Sequence, residues 1–456
     1  MPTHASPVPV APSPAVRVQV GIDAAIVAQH QVCVRAVDVN GRVSTHRFRV
    51  QPTLAGLTSL GKQLSAYPGV VAVAEPTSMT WLGLSIAVTE AGGQFALLGS
   101  RHAARLRGAI SGKNKTDVID ADVLARAGEV FELTPLRLPS PAELALRRLC
   151  VRRGAAVIDA NRYLRRLLSL ARWAVPDGWN AFEGSLPTAR AVLGRWPHLA
   201  QLACSRRAAL TAVVAEHTRG VADVPERVEA IRSNAAAWAR FWTGRLDLDA
   251  LAFDVTEHLT DLTAAEQRVA RATEQARQYW ERLYGDDPLL NSIPGVGPIT
   301  GPTIRAYLGD GSLHDSAKDA ASYVGITPSN WSSGTVVQPN RAITKEGPPV
   351  LRLAFYQAAN VARSHDPQLA EFYYRLMVHR GHTHTQACVA VARKLVERTW
   401  TVLRRAQPYQ LRDLDGNPIT QRAAKQLIKD HYTVDQQTRA RARAHTAATK
   451  RSKTTR

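Results

Sequence analysis

Asn40-Gly41 stands between two runs, "HQVCVRAVDV" and "RVSTHRFRV", in which apolar and polar residues alternate. An Asn-Gly pair tolerates the positive φ that a two-residue hairpin turn demands at both central positions, so this stretch commits the chain to an antiparallel strand pair. The preceding run "VRVQVGIDAA" adds a strand that ends at Asp23. After the hairpin, "LAGLTSLGKQLSAYP" has helical spacing and stops before a proline, and "GVVAVAE" is a buried strand ending at Glu75. "TWLGLSIAVTEAGG" is a helix closed by glycines, "QFALLG" a further strand, and "SGKNKTDVIDADVLARAG" opens the next helix. A three-strand meander followed by alternating helix and strand predicts a mixed α/β domain over residues 16–138.

From Pro139 the pattern turns helical, so the whole chain reads as α/β plus all-α. Residues 1–15, rich in proline and without the basic and apolar regions of a signal peptide, read as a disordered leader. Residues 139–286 read as a helical, coiled-coil-like middle. Val255, Leu259, Leu262, Val269, Ala276, Trp280 and Leu283 form its seam in steps of four and three, interrupted at Glu266 and Thr273, and an ordinary amphipathic bundle helix fits equally. Residues 287–406 read as a C-terminal helical domain, and residues 407–456 as a basic tail, disordered from Thr438.

The charge balance narrows the partners. Against 58 Lys and Arg stand 38 Asp and Glu, a net charge of +20, and the pI is about 10.3. Such a chain meets nucleic acid or an anionic membrane surface. No apolar run reaches the roughly 18 residues needed to span a bilayer, which leaves nucleic acid in front. Cys33, Cys150, Cys204 and Cys388 are far apart and form no thiolate zinc pattern, which suits a reducing, cytoplasmic compartment. Arg147, Arg148, Arg152, Arg153, Arg162, Arg165 and Arg166 crowd one predicted helix whose only acid after Glu143 is Asp159, a bias expected of a phosphate-facing surface.

Against that background three aspartates fall within six residues, at Asp117, Asp120 and Asp122. On a helix Asp117 and Asp120 share a face. Asp122 points away from both, by about 140° and 160° at roughly 100° per residue, and reads as solvated. Acids in a first turn behind a Thr116 cap can simply favour the helix dipole. A like-charged pair inside a folded site instead demands a cation, and magnesium, which takes hard oxygen ligands, is the usual one. Asp23 and Glu75 each end a strand. Carboxylates at strand ends facing a helix with two more match the layout of an RNase H-like nuclease, where two magnesium ions about 4 Å apart clamp a phosphodiester. Asp38 reads as a turn residue.

In the C-terminal part, Gly295 and Gly297 in "IPGVGPITGPTIRAYLGD" resemble a helix-hairpin-helix, whose amides contact phosphate, or else a plain turn between packed helices. Ser332-Ser333-Gly334 lies in a polar loop ahead of Arg341 and Lys345, and by composition alone a serine there is a loop serine. His379, His382 and His384 are spaced too loosely for a metal cluster and suit a loop or a phosphate contact.

"GIDAA", "VAVAEPT" and "KNKTDVIDADVLA", with Asp23, Glu75, Asp117 and Asp120, resemble the four-carboxylate signature of the DEDD insertion-sequence transposases, the IS one-ten family. "IPGVGPIT", "YVGITPS", "SSG", "ITKEGPPVLRLAFYQAA" and "FYYRLMVHRG" with "AVARKLVERTW" resemble, in order, the second conserved domain of the same enzymes. The resemblance spans roughly residues 17–130 and 288–405. It departs at Ser78, where the family's glycine is expected, at Pro348-Pro349, and at the histidines of "HRGHTH", where lysine is usual.

The resemblance implies an N-terminal RNase H-like (RuvC-like) domain holding Mg2+ on Asp23, Glu75, Asp117 and Asp120, and a C-terminal transposase domain offering Ser333 as nucleophile, with Ser332 the fallback. It implies one composite site formed by both domains, cutting and rejoining DNA of target and donor through a covalent phosphoserine intermediate. It also implies homodimers or homotetramers directed by a guide RNA from the element itself, with Arg341, Lys345 and the arginine-rich helix as nucleic-acid contacts. The alternative is a RuvC-like endonuclease or junction resolvase, in which the same carboxylates activate water.

Overall fold

The computed structural model describes residues 15–67, 69–76, 78–112, 114–177, 182, 185–217, 223–328, 332–333, 336–337, 342–442 and 444. The leader, Arg341 and the end of the chain lie outside them. The chain forms two compact units, residues 1–139 and 140–456.

The first unit is a five-stranded sheet covered on both faces. Its strands are β1 Ala15–Asp23, β2 His30–Asp38, β3 Val43–Val50, β4 Val71–Ala74 and β5 Gln94–Leu97; its helices are α1 Leu54–Leu64, α2 Thr80–Glu90, α3 Ser100–Ser111, α4 Asp117–Ala125 and the single turn α5 Ala127–Val130. The strand order is β3-β2-β1-β4-β5. β1, β2 and β3 are an antiparallel meander, and β4 and β5 continue parallel to β1. Gly41 takes φ +75° at the β2–β3 turn. The Asp38 carboxylate accepts the amides of Asn40 and Arg42 at 2.9 and 2.8 Å, so Asp38 is the turn residue its position suggested.

Side-chain alternation assigns the two faces. Val20, Ile22, Val32, Val34, Ala72 and Ala74 share a core with Leu60 and Leu64 of α1 and Leu84 and Val88 of α2. Val73 on the opposite face joins Ala103 and Leu106 of α3 with Val123 and Leu124 of α4, and Cys33 meets Ala121 and Ala125 of α4. By the same period Asp23 and Glu75, in step with Gly21 and Val73, belong to the face covered by α3 and α4.

The second unit is helical. Its helices are α6 Pro141–Ala174, α7 Leu186–Arg195, α8 Leu199–Ala203, α9 Arg207–His217, α10 Val224–Trp242, α11 Leu248–Tyr284, α12 Pro288–Asn291, α13 Gly301–Leu308, α14 Ala317–Val324, α15 Pro349–Ala362, α16 Pro367–Tyr374, α17 His384–Arg405 and α18 Gln421–His431, with a π turn at Arg375–His379 and a short ribbon of β6 Ser332–Ser333 and β7 Val336–Val337. A full capping box, Ser140 with Glu143, starts α6. α6 and α11 pack antiparallel: Leu146 shares a core with Trp280, the Arg153 Nε donates to Thr273 Oγ1 at 2.8 Å, and Leu167 meets Val255 and Leu262. The buried seam of α11 runs through Leu251, Val255, Leu262, Ala265, Ala272, Ala276 and Trp280. The seam expected from sequence passes through Val269 and stumbles at Glu266 and Thr273. The correct register uses the preceding alanines, whose small side chains let the two helices approach closely.

The α6–α11 pair joins two lobes. α7 to α10 pack around Val192, Leu210, Val214, Val228 and Ile231 at one end. α12 to α17 surround Phe355, Val391 and Leu395 at the other, in one core with Leu146, Cys150, Ala276 and Trp280. The expected boundary at 286/287 therefore falls inside a continuous core. The expected tail also begins too early. Beyond residue 407 the chain forms a bridge between Arg412 and Pro418 and helix α18, and Val434 and Ala442 join the core. Its basic composition hid those apolar anchors. No helix of the described residues is long and apolar enough to cross a membrane.

Candidate active site

Gly21 sets the geometry of the acidic cluster. A Cβ at this position would overlap the Ala121 carbonyl oxygen and the Ala125 amide, so only glycine lets the α4 backbone lie directly on β1. The register pairs Ile22 with Ala74 on parallel strands, and Asp23 and Glu75 are the next residue on each. α4 starts at Asp117 behind a cap in which Thr116 Oγ1 accepts the Ile119 amide at 3.2 Å. Asp120 is buried at 5% exposure, while Asp117 is exposed at the helix start. The pair therefore shares a face but not an environment.

The electrostatics tie the cluster together. Burial first, then the charges of Asp117, Asp120 and Glu75, push the Asp23 carboxyl up to about 6, against a smaller downward pull from Lys115. Each of the other three acids is thus near enough to oppose ionisation of Asp23. A cation already sits among them. Arg107 of α3 donates its Nε to Asp120 Oδ1 and brings a terminal nitrogen 3.7 Å from Glu75 Oε1. Sequence reading missed this residue; its one signal is a basic helix, "SRHAARLRGAIS", running directly before the acidic one.

The donor set is carboxylate oxygen throughout, which suits a hard divalent cation. Burial first, and then the neighbouring acids, disfavour the charged form of Asp23, which a bound cation would favour. Among the described residues no three carboxylate, histidine or cysteine side chains already stand as a ligand set. The four acids fit a divalent ion by chemistry and by charge, with Arg107 holding two of them.

Asp122 differs from the expectation of a solvated acid. Arg47 of β3 grips it with two nitrogens, Nε to Oδ1 at 2.8 Å and a terminal nitrogen to Oδ2 at 2.6 Å. Burial works against its charge, yet the Arg47 and Cys33 hydrogen bonds hold the carboxyl below the usual range. Cys33 is pushed up to about 12 by burial and by Asp122. Asp122 thus ties α4 to β3 and stands apart from the acid cluster. Ser78, where a glycine was expected, takes φ +52°. The backbone keeps the left-handed turn that glycine adopts freely and serine only with strain.

The other predicted contacts divide. Arg147 donates to the Ala306 carbonyl at 2.6 Å and lies over the Tyr307 ring, and Arg153 binds Thr273. Both are half-buried, with the Nε engaged inside the protein, because α6 turns that side toward α11 and α13. Arg148, Arg152, Arg162, Arg165 and Arg166 are exposed, with Arg162 paired to Asp159 at 3.0 Å. Gly295 takes φ +83°, and a Cβ there would strike the Ala358 carbonyl. The Gly297 amide donates to Thr300 Oγ1 at 3.3 Å. The turn is therefore packed on α15 with the Gly297 amide bonded internally, as in the plain turn between packed helices that the sequence also allowed.

Ser332 and Ser333 form the first strand of the small ribbon, opposite Val337 and Val336; their side chains and Arg341 lie outside the described residues. Lys345 is exposed, at φ +58°. The three histidines fall on different local structures: His379 ends the π turn and lies edge-on to Tyr374, His382 is in the loop that follows, and His384 starts α17 and meets the Tyr373 hydroxyl at 2.8 Å.

Known proteins extend these observations. A family model described as "Transposase", of the DEDD IS110 type, matches residues 20–176, the stretch holding all four acids. A second, described as "Transposase IS116/IS110/IS902 family", matches residues 287–374. The chain is 27% identical over 419 residues to the insertion element IS116 uncharacterized 44.8 kDa protein of Streptomyces clavuligerus, covering 89% of this chain and 98% of that one. It is 27% identical over 349 residues to the insertion element IS110 uncharacterized 43.6 kDa protein of Streptomyces coelicolor, 75% of this chain and 84% of that one. It is 36% identical over 125 residues to the pilin gene-inverting protein of Moraxella lacunata, 27% of this chain and 38% of that one. A basic chain with an acid cluster at the ends of parallel strands, matched in order by two transposase models, is a DNA transposase or recombinase. Within that class the chain belongs to the IS110 family of DEDD transposases.

Proposed function

We propose that the chain moves a bacterial insertion sequence by cutting and rejoining DNA strands, with Asp23, Glu75, Asp117 and Asp120 holding magnesium and Ser333 acting as nucleophile. The observation that carries this reading is the geometry of the acids: Asp23 and Glu75 follow a paired register on adjacent parallel strands, and Arg107 reaches both Glu75 and the buried Asp120 of α4. The Asp23 carboxyl, raised first by burial and then by the charges of Asp117, Asp120 and Glu75, agrees with it. Acids at the ends of two adjacent parallel strands, in the order β3-β2-β1-β4-β5, support reading the first unit as RNase H-like.

Bound magnesium supplies positive charge for the phosphoryl oxygens as they gain charge in the transition state. Asp23, Glu75, Asp117 and Asp120 supply the oxygens that hold it. The Ser333 hydroxyl attacks the phosphorus of a phosphodiester. Its oxygen becomes bonded to phosphorus, the bond to the 3′ oxygen breaks, and the serine proton ends on the released 3′ hydroxyl. The reverse step on an exchanged strand re-forms the phosphodiester and returns the serine. Lys345 and Arg341, further along the same segment, offset phosphate charge. Family resemblance supports a guide RNA and a homodimer or homotetramer. The exposed arginines Arg148, Arg152, Arg162, Arg165 and Arg166 support contact with nucleic-acid backbone rather than base edges.

Denaturing gels of protein mixed with labelled target and donor DNA, guide RNA and magnesium test the reading. The wild type and Ser332→Ala retain label covalently, whereas Ser333→Ala and Asp23→Asn retain none. Cleavage by Ser333→Ala to a free 5′ phosphate would assign the reaction to water, the chemistry of a junction resolvase.

A further inference from the structure

Arg107 holds two of the acids proposed to bind metal. Its helix is anchored by buried Ala103 and Leu106, so the backbone beneath the guanidinium is fixed. The side chain is 16% exposed at the rim of the cluster and can leave by rotating its own torsions. Its two contacts are unequal. The Nε is hydrogen-bonded to Asp120, whereas the 3.7 Å separation from Glu75 is a charge contact beyond ordinary hydrogen-bond length. A guanidinium and a divalent ion both satisfy these oxygens, but they cannot occupy the same space.

We propose that Arg107 is a built-in counter-cation. It keeps Glu75 and Asp120 together in the metal-free protein, yields them when a divalent ion arrives, and so sets how tightly the site holds metal. This rests on the reading of the four acids as metal ligands. Without the guanidinium, Asp120 would be a buried carboxylate among acids with no partner, which is costly. With it, every metal-binding event must first separate an ion pair, and apparent affinity is the intrinsic affinity multiplied by the fraction of molecules in which that pair is open. A residue that merely positions the ligands predicts the opposite sign, since its loss would scatter them and weaken binding.

Calorimetric titration of magnesium into the full chain without nucleic acid, together with melting in magnesium and in chelator, separates the two. Arg107→Gln is expected to melt lower in chelator yet bind magnesium about tenfold more tightly than wild type. Arg107→Lys, which keeps the charge, is expected to stay close to wild type. Equal or weaker binding by Arg107→Gln overturns the proposal. If that variant does not fold in chelator, magnesium must restore its cooperative melt, and failure to do so also overturns it. Wild-type protein that binds no magnesium would instead sink the metal reading, leaving Arg107 as a permanent structural counter-ion.

Discussion

Asp23 links the sheet to the chemistry, and its environment makes a pH prediction. Its carboxyl is raised from an ordinary 3.8 to about 6 in the folded chain. Below the unfolded value both states are protonated and the group contributes nothing. As pH rises through the window between the two values, the folded state holds the proton more strongly than the unfolded state does, so stability falls; above it the penalty is complete. The metal-free wild type is therefore expected to lose stability between about pH 4 and 6 relative to Asp23→Asn. Denaturant titrations of both proteins across that range check it, and parallel curves would refute it. Four acids were legible as candidates because strand ends and helix starts follow from local pattern. Arg107, the burial of Asp120 and the Arg47 grip on Asp122 were not, because each joins residues that only packing brings together.

At the scale of elements, α6 carries two kinds of arginine that its sequence does not distinguish. Arg148, Arg152, Arg162 and Arg166 fall within one arc of the helix at roughly 100° per residue, and all four are exposed. Arg147 and Arg153 point into the protein, one to a carbonyl of α13 and the other to Thr273 of α11. Replacing the first group by alanine is expected to leave melting nearly unchanged. It is also expected to lower the salt dependence of nucleic-acid binding, by about one unit of slope for each phosphate no longer neutralised. Replacing Arg147 or Arg153 is expected to cost about 1–3 kcal/mol of stability, more for Arg147, whose partner is the carbonyl of buried Ala306, than for Arg153, whose partner Thr273 is half-buried. Binding isotherms over a salt series, paired with thermal melts, check both; a reversed assignment would appear as a lowered melt in the first group. The helix itself was legible from its period and its Ser140–Glu143 start. The register of α11 was not, because alanine marks a close helix approach only once the partner helix is known.

The molecule as a whole divides where composition changes from alternating strand and helix to helix alone. The first unit ends at residue 139. Its last segment returns to the sheet, where the Leu136 amide donates to the Phe95 carbonyl at 2.6 Å and Leu136 and Leu138 pack on the core beneath α1 and α2. A fragment of residues 1–139 is expected to melt cooperatively, and one stopped at 130 to melt lower or not at all. Circular dichroism of the two fragments checks this, and equal melts would contradict it. A fragment of residues 140–286 has no such prospect, because Leu146, Cys150, Ala276 and Trp280 complete a core with the helices that follow. The amino-acid order alone determined the Asn-Gly hairpin, the strands that end in Asp23 and Glu75, the capped start of α4 and the excess of positive charge, since each depends on neighbours within a few residues. Tertiary packing alone decided that Gly21 admits α4 to the sheet, that Arg107 stands among the acids, which arginines face solvent, and how far the second core extends. Those outcomes depend on residues far apart in the chain meeting in space, and no local period encodes them.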